Sequence, residues 1–150
     1  MFKIMIVDND PTSLAIGRAL LETEYQLVLT RSGHQALGAL KIDTLPDLIL
    51  LDMFLPGIDG MEFLKILKAD QQYTSIPVIV LSNESYIGKK AECYHVGAAD
   101  FIEKPINPDI LKFKVQQHLA FLEMARENRR FKRGINMVCR QLDRLLSPDL

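Results

Sequence analysis

The sequence predicts an α/β fold, a doubly wound five-stranded parallel sheet with an extended C-terminal helix, and three observations predict it. Strand-length apolar runs alternate with helical periods five times within residues 1–119, and parallel strands joined by right-handed crossovers are what such alternation builds. Pro46–Asp52 (PDLILLD) is continuously apolar and rich in branched side chains, as a strand buried on both faces must be. A chain of 150 residues with 48% apolar and 25% charged side chains is globular and about one domain long. That composition excludes a fibrous repeat or a disordered tail. No apolar run approaches the ~20 residues of a membrane-spanning helix. Met1-Phe-Lys-Ile runs straight into a strand pattern without a signal sequence, so the expected location is the cytoplasm and no membrane partner is expected. Cys93 and Cys139 lie in neither a C-x-x-C nor a histidine cluster and read as reduced packing residues. His34, His95 and His118 are isolated and read as surface residues.

The first strand is Phe2–Val7, ending in Asp8-Asn9-Asp10-Pro11, where Asp10 is the expected N-cap and Pro11 the first residue of a helix carrying Leu14, Leu20 and Leu21. Tyr25–Thr30 (YQLVLT) is the second strand, followed by a short helix around Gln35–Leu40. After the central strand 46–52, Leu55-Pro-Gly-Ile-Asp-Gly60 has loop chemistry, and Met61–Ala69 repeats apolar positions at Met61, Leu64 and Leu67 on a helical period. Pro77–Leu81 is the fourth strand. Tyr86–Val96 is the fourth helix, closed by Gly97 as a C-cap, and Asp100–Glu103 is the fifth strand. Asn107-Pro108-Asp109 opens a last helix with no breaker until Gly134.

In an open parallel sheet, ligands bind at the carboxyl ends of the strands, near the point where strand order reverses. The first strand ends at Asp8 and Asn9, the third at Asp52 and the fourth at Ser82, while Lys104 follows the fifth. Two carboxylates, a hydroxyl and an ammonium therefore converge on one edge, a set suited to a hard cation such as Mg²⁺ beside a phosphoryl group. No P-loop motif is present, and Gly57 and Gly60 read as turn formers.

These residues resemble the receiver domain of two-component response regulators, with its flavodoxin-like (βα)5 fold. The likeness covers residues 1–119 and is carried by IMIVDND (4–10), DLILLDMFLPGIDG (47–60), PVIVLS (77–82) and GAADFIEKPI (97–106). It implies a signalling domain rather than an enzyme, which accepts a phosphoryl group on Asp52 from a histidine kinase or phosphotransfer protein. It further implies that Asp8 holds Mg²⁺ through water, that Asp52 and the Phe54 backbone carbonyl also serve the metal, that the Ser82 hydroxyl follows the phosphoryl group as part of the switch, and that Lys104 is the cation pairing with it. Phe101 matches the aromatic switch position, and Lys104-Pro105 the cis peptide bond. The side chain of Phe54 falls where the family tunes water access, and a bulky apolar ring there should prolong the acyl phosphate. The departure is Asn9. The family usually has two adjacent acids after the first strand, and an amide in place of the second leaves a carbonyl ligand but removes one negative charge. That change keeps open an alternative, a pseudo-receiver acting as a phosphate-independent scaffold. A flavin-binding electron carrier of similar topology is disfavoured by acids crowding the strand ends.

The charge is uneven. Residues 1–119 carry 11 basic and 15 acidic side chains, whereas 120–150 carry 7 and 4, which marks a second region with a different task. From Phe121 a heptad places Phe121, Asn128, Ile135 and Leu142 at a, and Met124, Phe131, Val138 and Leu145 at d. This is the seam of a two-stranded parallel coiled coil, with Asn128 setting register and Glu127 at g facing the partner's e position, Lys132. A homodimer through this helix is expected; the alternative is an amphipathic helix folded back on its own receiver. Met124 and Phe131 lie inside the basic stretch 126–133 and occupy seam positions, so a DNA-reading basic region is not expected. Ser147-Pro148 looks like the start of a further helix, and an output domain is expected to lie outside this chain.

Overall fold

The computed structural model describes residues 1–83 and 88–146. Its elements follow in the order β1 (Lys3–Val7), α1 (Pro11–Leu21), β2 (Gln26–Thr30), α2 (Gly33–Ile42), β3 (Leu48–Asp52), α3 (Gly60–Ala69), β4 (Val78–Ser82), α4 (Lys90–Val96), β5 (Asp100–Glu103) and α5 (Pro108–Leu146). All strand pairs are parallel and the sheet order is β2-β1-β3-β4-β5, so strand order reverses between β1 and β3. The chain divides into two units, one spanning Met1–Val115 and the other beginning at Gln116.

Within the first unit, β1, β3 and β4 are buried along their whole length, as continuous apolar runs require. The edge strand β2 is buried only at Thr30. On one face of the sheet, Met5, Val7, Ile49, Leu51, Val78 and Val80 meet Phe63, Leu64 and Leu67 of α3. Side chains define the helix starts. Asp10 Oδ1 accepts from the Thr12 N–H at 3.0 Å, Ser32 Oγ from Gln35 at 3.1 Å, Asp59 Oδ1 from Glu62 at 2.8 Å and Asn107 Oδ1 from Asp109 at 2.9 Å.

The serine cap explains why α2 begins at Gly33, two residues before the apolar period suggests. The fourth helix is expected from Tyr86; residues 84–87 lie outside the described residues, and α4 is described from Lys90. The expected helix signal at 147–150 also lies outside them. Gly97 closes α4 in the left-handed region, with φ of 128°. The last helix continues through Gly134 for 39 residues.

Candidate functional site

Asp8 follows β1 and Asp52 ends β3, one step beyond the register pair Val7 and Leu51, so adjacent parallel strands deliver two carboxylates side by side. Both are buried, Asp8 completely and Asp52 to 4% exposure. Asp8 Oδ1 accepts from the Asp10 N–H at 2.9 Å, and Asp52 Oδ1 from the Phe54 N–H at 3.1 Å. The loop after β3 is pressed onto the strand end. A Cβ on Gly60 would overlap the Met53 Cα and the Asp52 carbonyl oxygen, and the Gly60 N–H donates to the Met53 carbonyl at 3.0 Å. Gly57 turns that loop with φ of 72°.

Lys104, after β5, serves both acids. Its Nζ lies 2.8 Å from Asp8 Oδ2 and 3.4 Å from Asp52 Oδ2, while its N–H donates to the Ser82 carbonyl at 2.7 Å. The Lys104–Pro105 peptide is cis. The short contact to Asp8 is an ion pair without hydrogen-bond alignment, for Asp8 Oδ2 is buried with no hydrogen bond. One ammonium against two carboxylates leaves the pocket negative. Burial, and then the neighbouring Asp8 charge, push the Asp52 pKa up to about 6, against the opposing pull of the Phe54 N–H and Lys104.

A cavity of about 360 Å³ opens over these groups, lined by Asn9, Asp10, Asp52, Phe54, Asn83 and Lys104. Phe54 stands at its rim, 49% exposed. The donor set is all oxygen: two carboxylates, the Asn9 amide and backbone carbonyls. Asp8 Oδ2, buried and without a hydrogen bond, is the acceptor such a pocket offers a hard cation. The residues therefore fit Mg²⁺, with less charge than three acids would bring. Among the described residues no three His, Cys, Asp or Glu side chains cluster at metal-binding distance. Asp10 does not replace the missing acid. Its Oδ1 caps α1, its Oδ2 accepts from Ser13 Oγ at 3.1 Å, and the Thr12 N–H foremost holds its pKa below the ordinary value.

Ser82 is buried, and among the described residues its hydroxyl makes one long bond, to the Asn83 carbonyl at 3.4 Å; it is not among the cavity-lining residues. Phe101 is turned inward at 4% exposure, with the Lys90 ammonium 5.4 Å from its ring centroid. A second cavity, of about 630 Å³, lies between α4, β5 and the start of α5, where Lys90 and Phe101 face Ile110 and Phe113. Lys90 is exposed to solvent while its ammonium lies over the Phe101 ring. Sequence reasoning missed Asn83 and Arg31. Asn83 lines the site one residue past β4, and Arg31 Nη2 makes a long contact of 3.5 Å to the Asn9 carbonyl. Extending the strand-end rule by one residue finds both.

In the second unit the expected seam residues are all solvent-exposed, from Phe121 and Met124 through Phe131, Ile135 and Val138 to Leu142 and Leu145. Asn128 is exposed among them. No helix of the described residues is long and apolar enough to cross a membrane.

A doubly wound parallel sheet with paired acids and a lysine at its carboxyl edge defines a receiver-type signalling domain. Residues 4–116 match the profile of the response regulator receiver domain, and the chain belongs to that family. Such domains act in two-component signal transduction and are switched by phosphorylation. The chain is 39% identical over 106 residues to the phosphate regulon transcriptional regulatory protein PhoB of Pseudomonas aeruginosa, covering 70% of this chain and 46% of that protein. It is 34% identical over 116 residues to a probable cyclic di-GMP phosphodiesterase of Vibrio cholerae, covering 77% of this chain and 26% of that protein. The chain therefore spans less than half the length of both. Among solved structures, the chemotaxis response regulator CheY4 of Vibrio cholerae superposes with a TM-score of 0.72 at 28% identity, over 79% of this chain and 98% of that one. NtrX from Brucella abortus gives 0.76 at 28% identity, over 85% of this chain and 29% of that one.

Proposed function

We propose that this chain is a phosphorylation-switched receiver in which Asp52 accepts a phosphoryl group from a histidine kinase or phosphotransfer protein. The observation that carries the reading is the solvent-open cavity at whose base Asp52 lies beside Asp8, with one ammonium, Lys104, serving both. An Asp52 carboxylate oxygen attacks phosphorus while the bond from phosphorus to the donor breaks, and the electron pair leaves with the donor, which gains a proton. Positioning and charge neutralisation are nearly all that such a transfer asks of a protein. Asp8, Asp52, the Phe54 carbonyl and the Asn9 amide would hold Mg²⁺, which when bound neutralises phosphoryl oxygens. Lys104 adds a second cation. The Ser82 hydroxyl must leave the Asn83 carbonyl to reach the phosphoryl group, and in this reading Phe101, which already faces inward, is the switch residue whose inward position that movement holds. The Phe54 ring at the rim keeps water from the acyl phosphate.

Residues 1–119 form the receiver in this reading, and 120–150 a helical linker that pairs in parallel with its copy. The pairing buries Phe121, Met124, Phe131, Ile135, Val138, Leu142 and Leu145, and lets the two Asn128 amides satisfy each other. The signal passes along this helix to an output domain or a separate partner, in the cytoplasm. The second reading, a phosphate-independent scaffold, is favoured by one observation, Asn9 where an acid would complete the metal site. Intact mass after incubation with Mg²⁺ and a small phosphodonor separates the two. The wild type should gain one phosphoryl group and Asp52→Asn none; equal labelling of both, or of neither, would sink the Asp52 assignment.

A further inference from the structure

The two regions use different cations. Residues 1–119 contain nine lysines and two arginines, whereas 120–150 contain six arginines and one lysine. A solvated face needs only charge, which lysine supplies; arginine adds a planar fork that grips carboxylates and phosphates with two parallel hydrogen bonds. Four of these arginines surround one apolar side chain. Met137 is 61% exposed and lies at heptad position c, away from the seam. Arg133 precedes it by four residues and Arg140 follows by three, while Arg130 and Arg144 stand seven residues to either side, so all five share one helix face. All are exposed, and among the described residues none of the four arginines makes an ion pair. Asp143 is the one acidic side chain in residues 128–146.

We propose that this outer face, centred on Met137, docks an acidic amphipathic helix of a partner protein. Carboxylates at helical spacing on that partner meet Arg133 and Arg140 in bidentate pairs, and an apolar side chain between them packs on Met137, whose flexible thioether adapts to irregular contacts. An anionic membrane would take this helix by its apolar seam and attract the arginines as charges alone, so it would gain nothing from Met137 on the outer face. A phosphate backbone would pair with the arginines but gain nothing from Met137. The docking face is separate from the seam and does not depend on pairing.

The test uses the full chain and a fluorescent helical peptide of about 20 residues, with glutamates at heptad spacing around a leucine. Its controls are the same peptide with glutamines, a short DNA duplex, and vesicles of anionic lipid. Anisotropy should show the glutamate peptide binding at least ~10-fold more tightly than the glutamine one. Arg133→Lys with Arg140→Lys should weaken it several-fold although charge is conserved, and Met137→Ala by about 3–10-fold. Circular dichroism of each variant should match the wild type, alanine and lysine being good helix formers. Equal binding by all variants would reduce the face to nonspecific charge and overturn the proposal. So would tighter binding to DNA or vesicles that ignores Met137→Ala. Sedimentation of the wild type as a monomer would remove the proposed pairing and leave this result standing.

Discussion

Asp52 is held in conflict with its surroundings. Its carboxyl, ordinarily near 3.8, is pushed up to about 6 by burial and by Asp8. The folded protein thus holds the proton more tightly than the unfolded chain does. The stability associated with this group is present in full below the unfolded value and is lost as pH rises through about 6. Asp52→Asn removes the repulsion in nearly the same shape. Without divalent cation it should raise stability by about 1–3 kcal/mol at about pH 7.5, and the gain should vanish toward about pH 4. Urea unfolding at the two pH values checks this, and a gain independent of pH would exclude the electrostatic cause. Asn9 acts in the opposite sense on affinity. Asn9→Asp restores a carboxylate at the cavity wall and should tighten Mg²⁺ binding by about tenfold, as one more charged ligand does for a hard cation. A titration that shows no change would mean that position 9 contributes no ligand.

At the scale of elements, the junction of β3 and α3 is the tightest constraint. Gly60 lies so close to the Met53 Cα and the Asp52 carbonyl that a methyl group must displace backbone. Gly60→Ala should therefore cost about 1–3 kcal/mol in urea unfolding and slow labelling of Asp52; an unchanged midpoint would show that the loop can move aside. This junction also shows what the sequence could convey. The strands were legible because burial on both faces leaves unbroken apolar runs at Ile4–Val7, Leu48–Leu51 and Val78–Leu81. The strand-end rule then points to Asp8, Asp52, Ser82 and Lys104, and three of the four meet directly. Ser82 does not, because a hydroxyl's direction depends on a rotamer and on a local acceptor, here the Asn83 carbonyl, and periodicity carries neither. The start of α2 was missed because its serine cap precedes the apolar pattern. The sequence brings Lys104 to the same edge as both acids, but its unequal distances, 2.8 Å to Asp8 and 3.4 Å to Asp52, depend on side-chain placement that no pattern carries.

For the whole molecule, the division at Val115 and Gln116 means that the proposed chemistry and the proposed pairing can be perturbed separately. Ile135→Asp with Leu142→Asp should yield a monomer by sedimentation and leave labelling of Asp52 intact. A surviving dimer would instead place the interface on the receiver's α4, β5 and α5. The sheet order has a consequence for folding. The pairing of β1 with β3 joins residues 44 apart in sequence (Ile4 with Leu48), against 23 for β1 with β2, 29 for β3 with β4 and 21 for β4 with β5, so the costliest chain closure in the sheet is the one that brings β1 together with β3. When β3 docks, it carries Asp52 up against Asp8. The repulsion of the two acids is therefore felt at the step that assembles the centre of the sheet, and the apolar runs of β1, β3 and β4 must be strong enough to close over it. The protein folds against the charge on which the proposed chemistry would depend.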